Sequence, residues 1–201
     1  MLVFWKEKLV FFAVPKTGTS ALEAALAPRA DIVIRNPPIL KHVPFYRYNR
    51  FLRPLFEVVG AEEFDKMAVI REPISWLGSW YKYRARADLD GTPNSTKDVS
   101  FDDFVDGYAK GQRPKFADVG SQYKFLTRPN GDCAMTHLFQ YEQMDKARAF
   151  LSERLDVDVS LDRKNVSPAR NFALSDDKEA KLRRKCPEEF ALWESAHIAD
   201  G

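Results

Sequence analysis

Cysteine is scarce: Cys133 and Cys186 are the only two in 201 residues, too few and too far apart for a disulfide framework or a four-cysteine zinc site. Both read as reduced thiols. Charge of one sign is also missing, since 31 Lys and Arg face 29 Asp and Glu for a net charge of +2. No global field therefore draws the chain to nucleic acid, and any anion site must be local. No apolar run approaches the about 18 residues of a membrane span. At the amino end the charges Lys6-Glu7-Lys8 follow the apolar Met1 to Trp5, the reverse of a signal peptide. The expectation is a cytoplasmic protein. No internal repeat and no linker composition is present, so residues 1–201 are expected to form one domain, 45% hydrophobic and long enough to bury roughly 70% of its unfolded surface.

Glycine is sparse too, which gives weight to where one stands. Leu9 to Val14 is a six-residue apolar run ending at Pro15, and Ala21 to Leu26 has helix-forming composition. Between them lies Pro15-Lys16-Thr17-Gly18-Thr19-Ser20. A strand, a tight turn and a helix N-terminus offer unpaired N–H groups and a positive dipole end. Gly18 permits close backbone approach and Lys16 adds a mobile cation. The same turn occurs in α/β proteins that bind nothing there. It is not the Walker pattern, which needs a second glycine and a Lys-Ser/Thr at the end of the loop.

Further strands are expected at Asp31 to Arg35, Lys66 to Arg71 and Cys133 to Glu142. Helices are expected from Pro44 to Gly60 with a kink near residue 53, from Pro73 to about residue 86, from Ser100 to Lys110, from Met144 to Leu155, and over 175–185 and 187–199. Residues 120–126 are ambiguous between strand and helix. The polar stretch 88–100 is the best candidate for a mobile loop or lid. Strand and helix alternation makes the fold class α/β. Arg71 closes the third strand, and Ser79 stands eight residues on in the next helix, a second cation and hydroxyl at a second strand-to-helix connection.

At these residues the chain resembles the sulfotransferases that use 3′-phosphoadenosine 5′-phosphosulfate (PAPS) as sulfuryl donor. Pro15 to Ser20 is similar to their 5′-phosphosulfate loop. Arg71-Glu72-Pro73 with Ser79 is similar to their 3′-phosphate motif, and Gln140-Tyr141-Glu142 and Asn165-Val166-Ser167 match more weakly. The late Arg-Lys-Gly loop of the family is not recognisable. The resemblance implies a mostly parallel central sheet flanked by helices, in a P-loop, nucleotide-kinase-like three-layer sandwich, and a bacterial enzyme akin to carbohydrate sulfotransferases. It implies that Lys16, Thr17, Gly18, Thr19, Ser20, Arg71 and Ser79 bind the donor, with no metal, and that Lys16 also opposes charge at the bridging oxygen.

The acceptor is expected to be a hydroxyl or amine on a glycan, lipid or small molecule. A base that titrates near neutrality must come from His42, His137 or His197. His137 lies in an apolar strand and His197 in the terminal helix. His42 follows the second strand, where the family's base commonly sits, so His42 and Lys16 are the expected catalytic pair. Lys41 beside it reads as a sulfonate contact, a depressor of the His42 pKa or a plain surface lysine. Glu23 is the rival carboxylate, though helix formation accounts for it. Arg170 is a further nucleotide contact to test. Arg47, Arg50, Arg53, Arg84 and Arg86 fit an acidic acceptor as well as a solvated face, and Trp76, Trp80 and Tyr83 fit a stacked acceptor as well as core. A small-molecule kinase on the same fold and a non-catalytic nucleotide-binding protein remain as alternatives.

Overall fold

The computed structural model describes residues 1–60, 63–159 and 173–196. The chain opens with an antiparallel hairpin of β1 (Leu2–Phe4) and β2 (Leu9–Phe12), Leu2 facing Phe11 and Phe4 facing Leu9. Lys6-Glu7-Lys8 forms its turn, with Lys8 at φ 50°. Helix α1 (Thr19–Leu26) leads to β3 (Ile32–Val33), then to a single turn, α2 (Pro38–Lys41). Next, α3 (Phe45–Arg47) passes through a π-helical turn at Tyr48–Leu52 into α4 (Arg53–Val58). The kink expected near residue 53 thus takes the form of an extra residue per turn just before Pro54, which occupies the first turn of α4 where its missing N–H costs nothing.

Strand β4 (Asp65–Ile70) is followed by α5 (Pro73–Arg84), α6 (Phe101–Tyr108) and α7 (Gln122–Leu126). The ambiguous segment 120–126 is therefore helical, its start capped by Ser121, whose hydroxyl accepts from the Lys124 N–H. Then come β5 (His137–Gln140), α8 (Met144–Leu155), α9 (Asp176–Lys185) and α10 (Pro187–Ser195).

The five strands lie in the order β3-β1-β2-β4-β5. The sheet is mixed, not mostly parallel as expected: β1 is antiparallel to both β2 and β3, while β2-β4 and β4-β5 are parallel. The cause is the Met1 to Phe4 run, which is fully buried and adds a reversed strand between β2 and β3. Apolar run, charged turn, apolar run is a hairpin pattern. Since β1 is reversed against both neighbours, β3 still points the same way as β2, β4 and β5.

Alternate strand residues feed two cores, as the pleat requires. Val10, Phe12, Ala68 and Ile70 pack with Phe45, Tyr48 and Phe56 on one face. Leu9, Phe11, Met67 and Val69 pack with Leu22 and Leu26 of α1 and Leu151 of α8 on the other. A third cluster joins α5, α6, α9 and α10 through Trp76, Phe104, Tyr108, Leu182 and Phe190. The polar stretch 88–100 is fastened to α5, because Thr96 is 1% exposed and donates to the Tyr81 carbonyl at 2.8 Å. The Asn165 to Arg170 loop and His197 lie outside the described residues.

Strands β2 and β4 are adjacent and parallel, yet the connection after β2 runs to β3 on one side and that after β4 runs to β5 on the other. Their carboxyl ends therefore flank a topological switch point, where the diverging connections leave a crevice.

Candidate functional site

The crevice begins at the turn after β2. Lys16 and Gly18 both take left-handed backbone, at φ 67° and 74°. For Lys16 this costs about 1–2 kcal/mol. At Gly18 a Cβ would stand 3.0 Å from the Tyr141 ring, so a larger residue would press on that ring as well as strain the left-handed backbone. Thr17 and Thr19 are buried, and both hydroxyls point back to the Val14 carbonyl, at 2.9 and 3.5 Å. Their side chains hold the turn in shape. Gly18 caps α1 with no side-chain hydrogen bond, and the backbone N–H groups of Thr17 to Ser20 meet no acceptor among the described residues. Such a row of open donors suits an anion.

The turn after β4 supplies the facing wall. The Arg71 guanidinium donates to the Lys16 carbonyl at 3.4 Å and to the Ser75 hydroxyl at 2.9 Å, and lies 4.5 Å above the Tyr141 ring. The two motifs thus meet through their own residues. The hydroxyl on Arg71 is that of Ser75; Ser79 stands one turn further along α5, half-buried. Glu72 caps the helix, accepting from the Ile74 and Ser75 N–H groups at 3.1 and 2.6 Å, and the Trp76 indole donates to the Pro15 carbonyl at 2.9 Å. Gln122 of α7 brackets the Arg71 backbone, accepting from its N–H at 3.0 Å and donating to its carbonyl at 2.8 Å.

From this stitched end, the Lys16 side chain runs along the aromatic edge of α5. Its ammonium lies 4.5 Å from the Tyr83 ring centroid and 5.7 Å from that of Trp80. Arg86 stacks on Tyr83, also at 4.5 Å. Burial, then Arg86, then Arg71 hold the Lys16 pKa down at about 8. Trp80 Nε1 is buried with no acceptor among the described residues, an orphan donor in the same wall. Trp76 is core and loop support rather than an acceptor platform, at 2% exposure. Arg84 is occupied by the backbone carbonyls of Lys115 and Asp118.

His42 follows α2. Its Nδ1 is 2.6 Å from the Ala13 carbonyl at the base of the first turn. A carbonyl only accepts, so Nδ1 carries the proton and Nε2 holds the free lone pair. Burial lowers the His42 pKa below its ordinary value against the opposing pull of the Ala13 carbonyl, with Lys41 adding to the depression. Lys41 itself pairs with Glu23 at 2.6 Å and donates to Ser20 Oγ at 3.3 Å. Glu23 is 3% exposed: it is a buried counter-ion that secures Lys41, more than the helix former its sequence context suggests. His137, half-buried, stands at the opposite end of the sheet beside Asp65, 3.8 Å away.

Sequence reasoning missed Ser75, Tyr141 and Gln122 as supports of Arg71, and Arg86 as the neighbour of Lys16. Only Tyr141 carried a sequence signal, in the Tyr-Glu that follows the last strand. A cavity of about 340 Å³ lies away from this crevice, around Tyr48, Phe56, Phe64 and Lys66 at the start of β4; Arg53 lines it, but none of the expected catalytic or donor-binding residues does. No family model matches the chain, and no curated protein matches it.

Proposed function

We propose that the chain is a sulfotransferase that moves a sulfuryl group from PAPS to a hydroxyl or amine acceptor, on a sandwich of the P-loop, nucleotide-kinase-like kind. The observation that carries the reading is the contact of the Arg71 guanidinium with the Lys16 carbonyl, which joins the two family-like motifs in one crevice lined by cations. The open N–H groups of Thr17 to Ser20 and the orphan Trp80 indole fit an acceptor-rich anion such as a phosphosulfate.

When bound, the donor supplies an activated sulfuryl group on a phosphate leaving group. The turn's N–H groups hold the 5′-phosphate, and Lys16 opposes the charge that grows where the bond breaks. Arg71, with Ser75 and Ser79 on α5, holds the 3′-phosphate. His42 Nε2 takes the acceptor's proton, its tautomer set by the Ala13 carbonyl. Ser20 and Lys41 stand between base and turn, and Glu23 keeps Lys41 in place.

A thermal-shift comparison tests the reading, because stabilisation follows ligand concentration over Kd. 3′-Phosphoadenosine 5′-phosphate is expected to raise Tm well beyond ATP with magnesium, Arg71→Ala to abolish the rise, and His42→Ala to keep it while losing transfer. Stronger stabilisation by ATP with magnesium would point to a kinase, and ligand binding without turnover of any acceptor to a binding protein.

A further inference from the structure

Every large apolar side chain exposed among the described residues lies between Val33 and Val59. The same segment carries five cations, Arg35, Lys41, Arg47, Arg50 and Arg53, against the one acid Glu57, a local +4 in a chain whose total is +2. From these we propose that the outer side of α3, the π-helical turn and α4, continued by α2, docks on an anionic lipid bilayer surface.

The helical stretch sorts its residues by side. Phe45, Tyr48 and Phe56 face the core. Asn49, Arg53 and Glu57 form a closed polar rung, Arg53 donating to Glu57 at 2.7 Å and to Asn49 at 3.0 Å. Outward stand Phe51, Leu55 and Val58, at 62, 58 and 85% exposure, one above another at helical spacing. Arg47 and Arg50 border this ridge. Their guanidinium carbons lie 5.5 and 5.2 Å from the Tyr46 and Phe51 ring centroids, and neither makes an ion pair among the described residues. Ile39 and Leu40 of α2 extend the apolar surface at 58 and 48% exposure.

Apolar residues with cations at their border and no free acid match the chemistry of an interfacial helix on anionic lipid. Phe51, Leu55 and Val58 are exposed and do not line the neighbouring cavity around Tyr48 and Phe56, which suits a fluid surface better than a rigid partner's knob. A two-fold dimer through the same face would set the unpaired Arg47 and Arg50 against their own copies, an arrangement that like-charge repulsion disfavours.

The test is co-sedimentation of the full chain with vesicles, with no donor or acceptor present, so its outcome is independent of the sulfotransferase reading. Binding is expected to vesicles of phosphatidylcholine mixed with phosphatidylglycerol, weaker to phosphatidylcholine alone, and reduced by salt. Phe51→Ser with Leu55→Ser should weaken it by about tenfold or more, and Arg47→Gln with Arg50→Gln by a similar about tenfold on the anionic vesicles only. Both double variants should keep the wild-type melting temperature, since Arg50, Phe51 and Leu55 are exposed and the part-exposed Arg47 makes no side-chain hydrogen bond or ion pair among the described residues. Failure to bind anionic vesicles at low salt overturns the proposal. So does equal binding to heparin that ignores the Phe51/Leu55 change, which marks a plain polyanion surface, or a dimer that this change dissociates while vesicles bind neither form.

Discussion

Lys16 and His42 place opposite demands on pH. The ammonium of Lys16 must be protonated to oppose developing negative charge, and its pKa is about 8 because burial, Arg86 and Arg71 all disfavour the cation. The imidazole of His42 must be neutral to accept a proton, and burial keeps its pKa below the ordinary 6.5. kcat/KM should therefore be bell-shaped, rising as His42 deprotonates below pH 6.5 and falling as Lys16 deprotonates through about 8. A bound anion restores the Lys16 cation, so the alkaline limb of kcat should lie above that of kcat/KM. Lys16→Arg should remove the limb near 8 from any residual activity, and a limb that stays in place would assign it to another group. Motif spacing could nominate Lys16, Arg71 and His42; it could not foresee that Thr17 and Thr19 turn inward or that Ser75 meets Arg71, because side-chain direction depends on packing around the turn.

Helix α5 links the core to the crevice. Its first turn is capped by Glu72, whose two carboxylate oxygens accept from separate N–H groups, and its aromatic edge guides Lys16. Glu72→Ala should cost about 1 kcal/mol of stability, within the usual range for a lost cap. It should also weaken 3′-phosphoadenosine 5′-phosphate binding, because the N–H of Ser75, the residue whose hydroxyl steadies Arg71, loses its acceptor. Titration calorimetry beside a denaturant melt checks both; a full stability loss with unchanged ligand affinity would separate the cap from the site. The helix start at Glu72-Pro73 was legible in sequence, as were α1 and α6 from their start residues and composition and α8 from its apolar spacing. Strand β3 was legible only as a longer run: two residues, Ile32 and Val33, pair with Val3 and Leu2 of β1.

Across the whole molecule, the site hangs on a buried carboxylate far from it in sequence. Glu189 of α10 is 3% exposed and accepts from the Tyr108 hydroxyl at 2.9 Å and the Tyr123 N–H at 3.1 Å. Burial pushes its pKa up, against the hydrogen bonds from Ser121, Tyr123 and Tyr108. It ties α6 and α7 to α10, and α7 carries the Gln122 that brackets Arg71. Glu189→Ala strands two buried donors and should cost about 2–4 kcal/mol, lowering Tm by roughly 5–15 °C, while Glu188→Ala, part-exposed beside it, should change little. Differential scanning calorimetry of the two variants reads this directly.

By itself the sequence determined the alternation of strands and helices, the two turns with their cations, and the local composition of 33–59, because these depend on near neighbours along the chain. Only the tertiary structure decided that the sheet is mixed, that Lys16 and Arg71, 55 residues apart, share one crevice, and that Glu23 and Glu189 are buried. It also decided that Phe51, Leu55 and Val58 face outward while Phe45, Tyr48 and Phe56 of the same stretch face the core. Each of these rests on which strand lies beside which and which helix face is covered, and such pairings are set by contacts between segments distant in sequence.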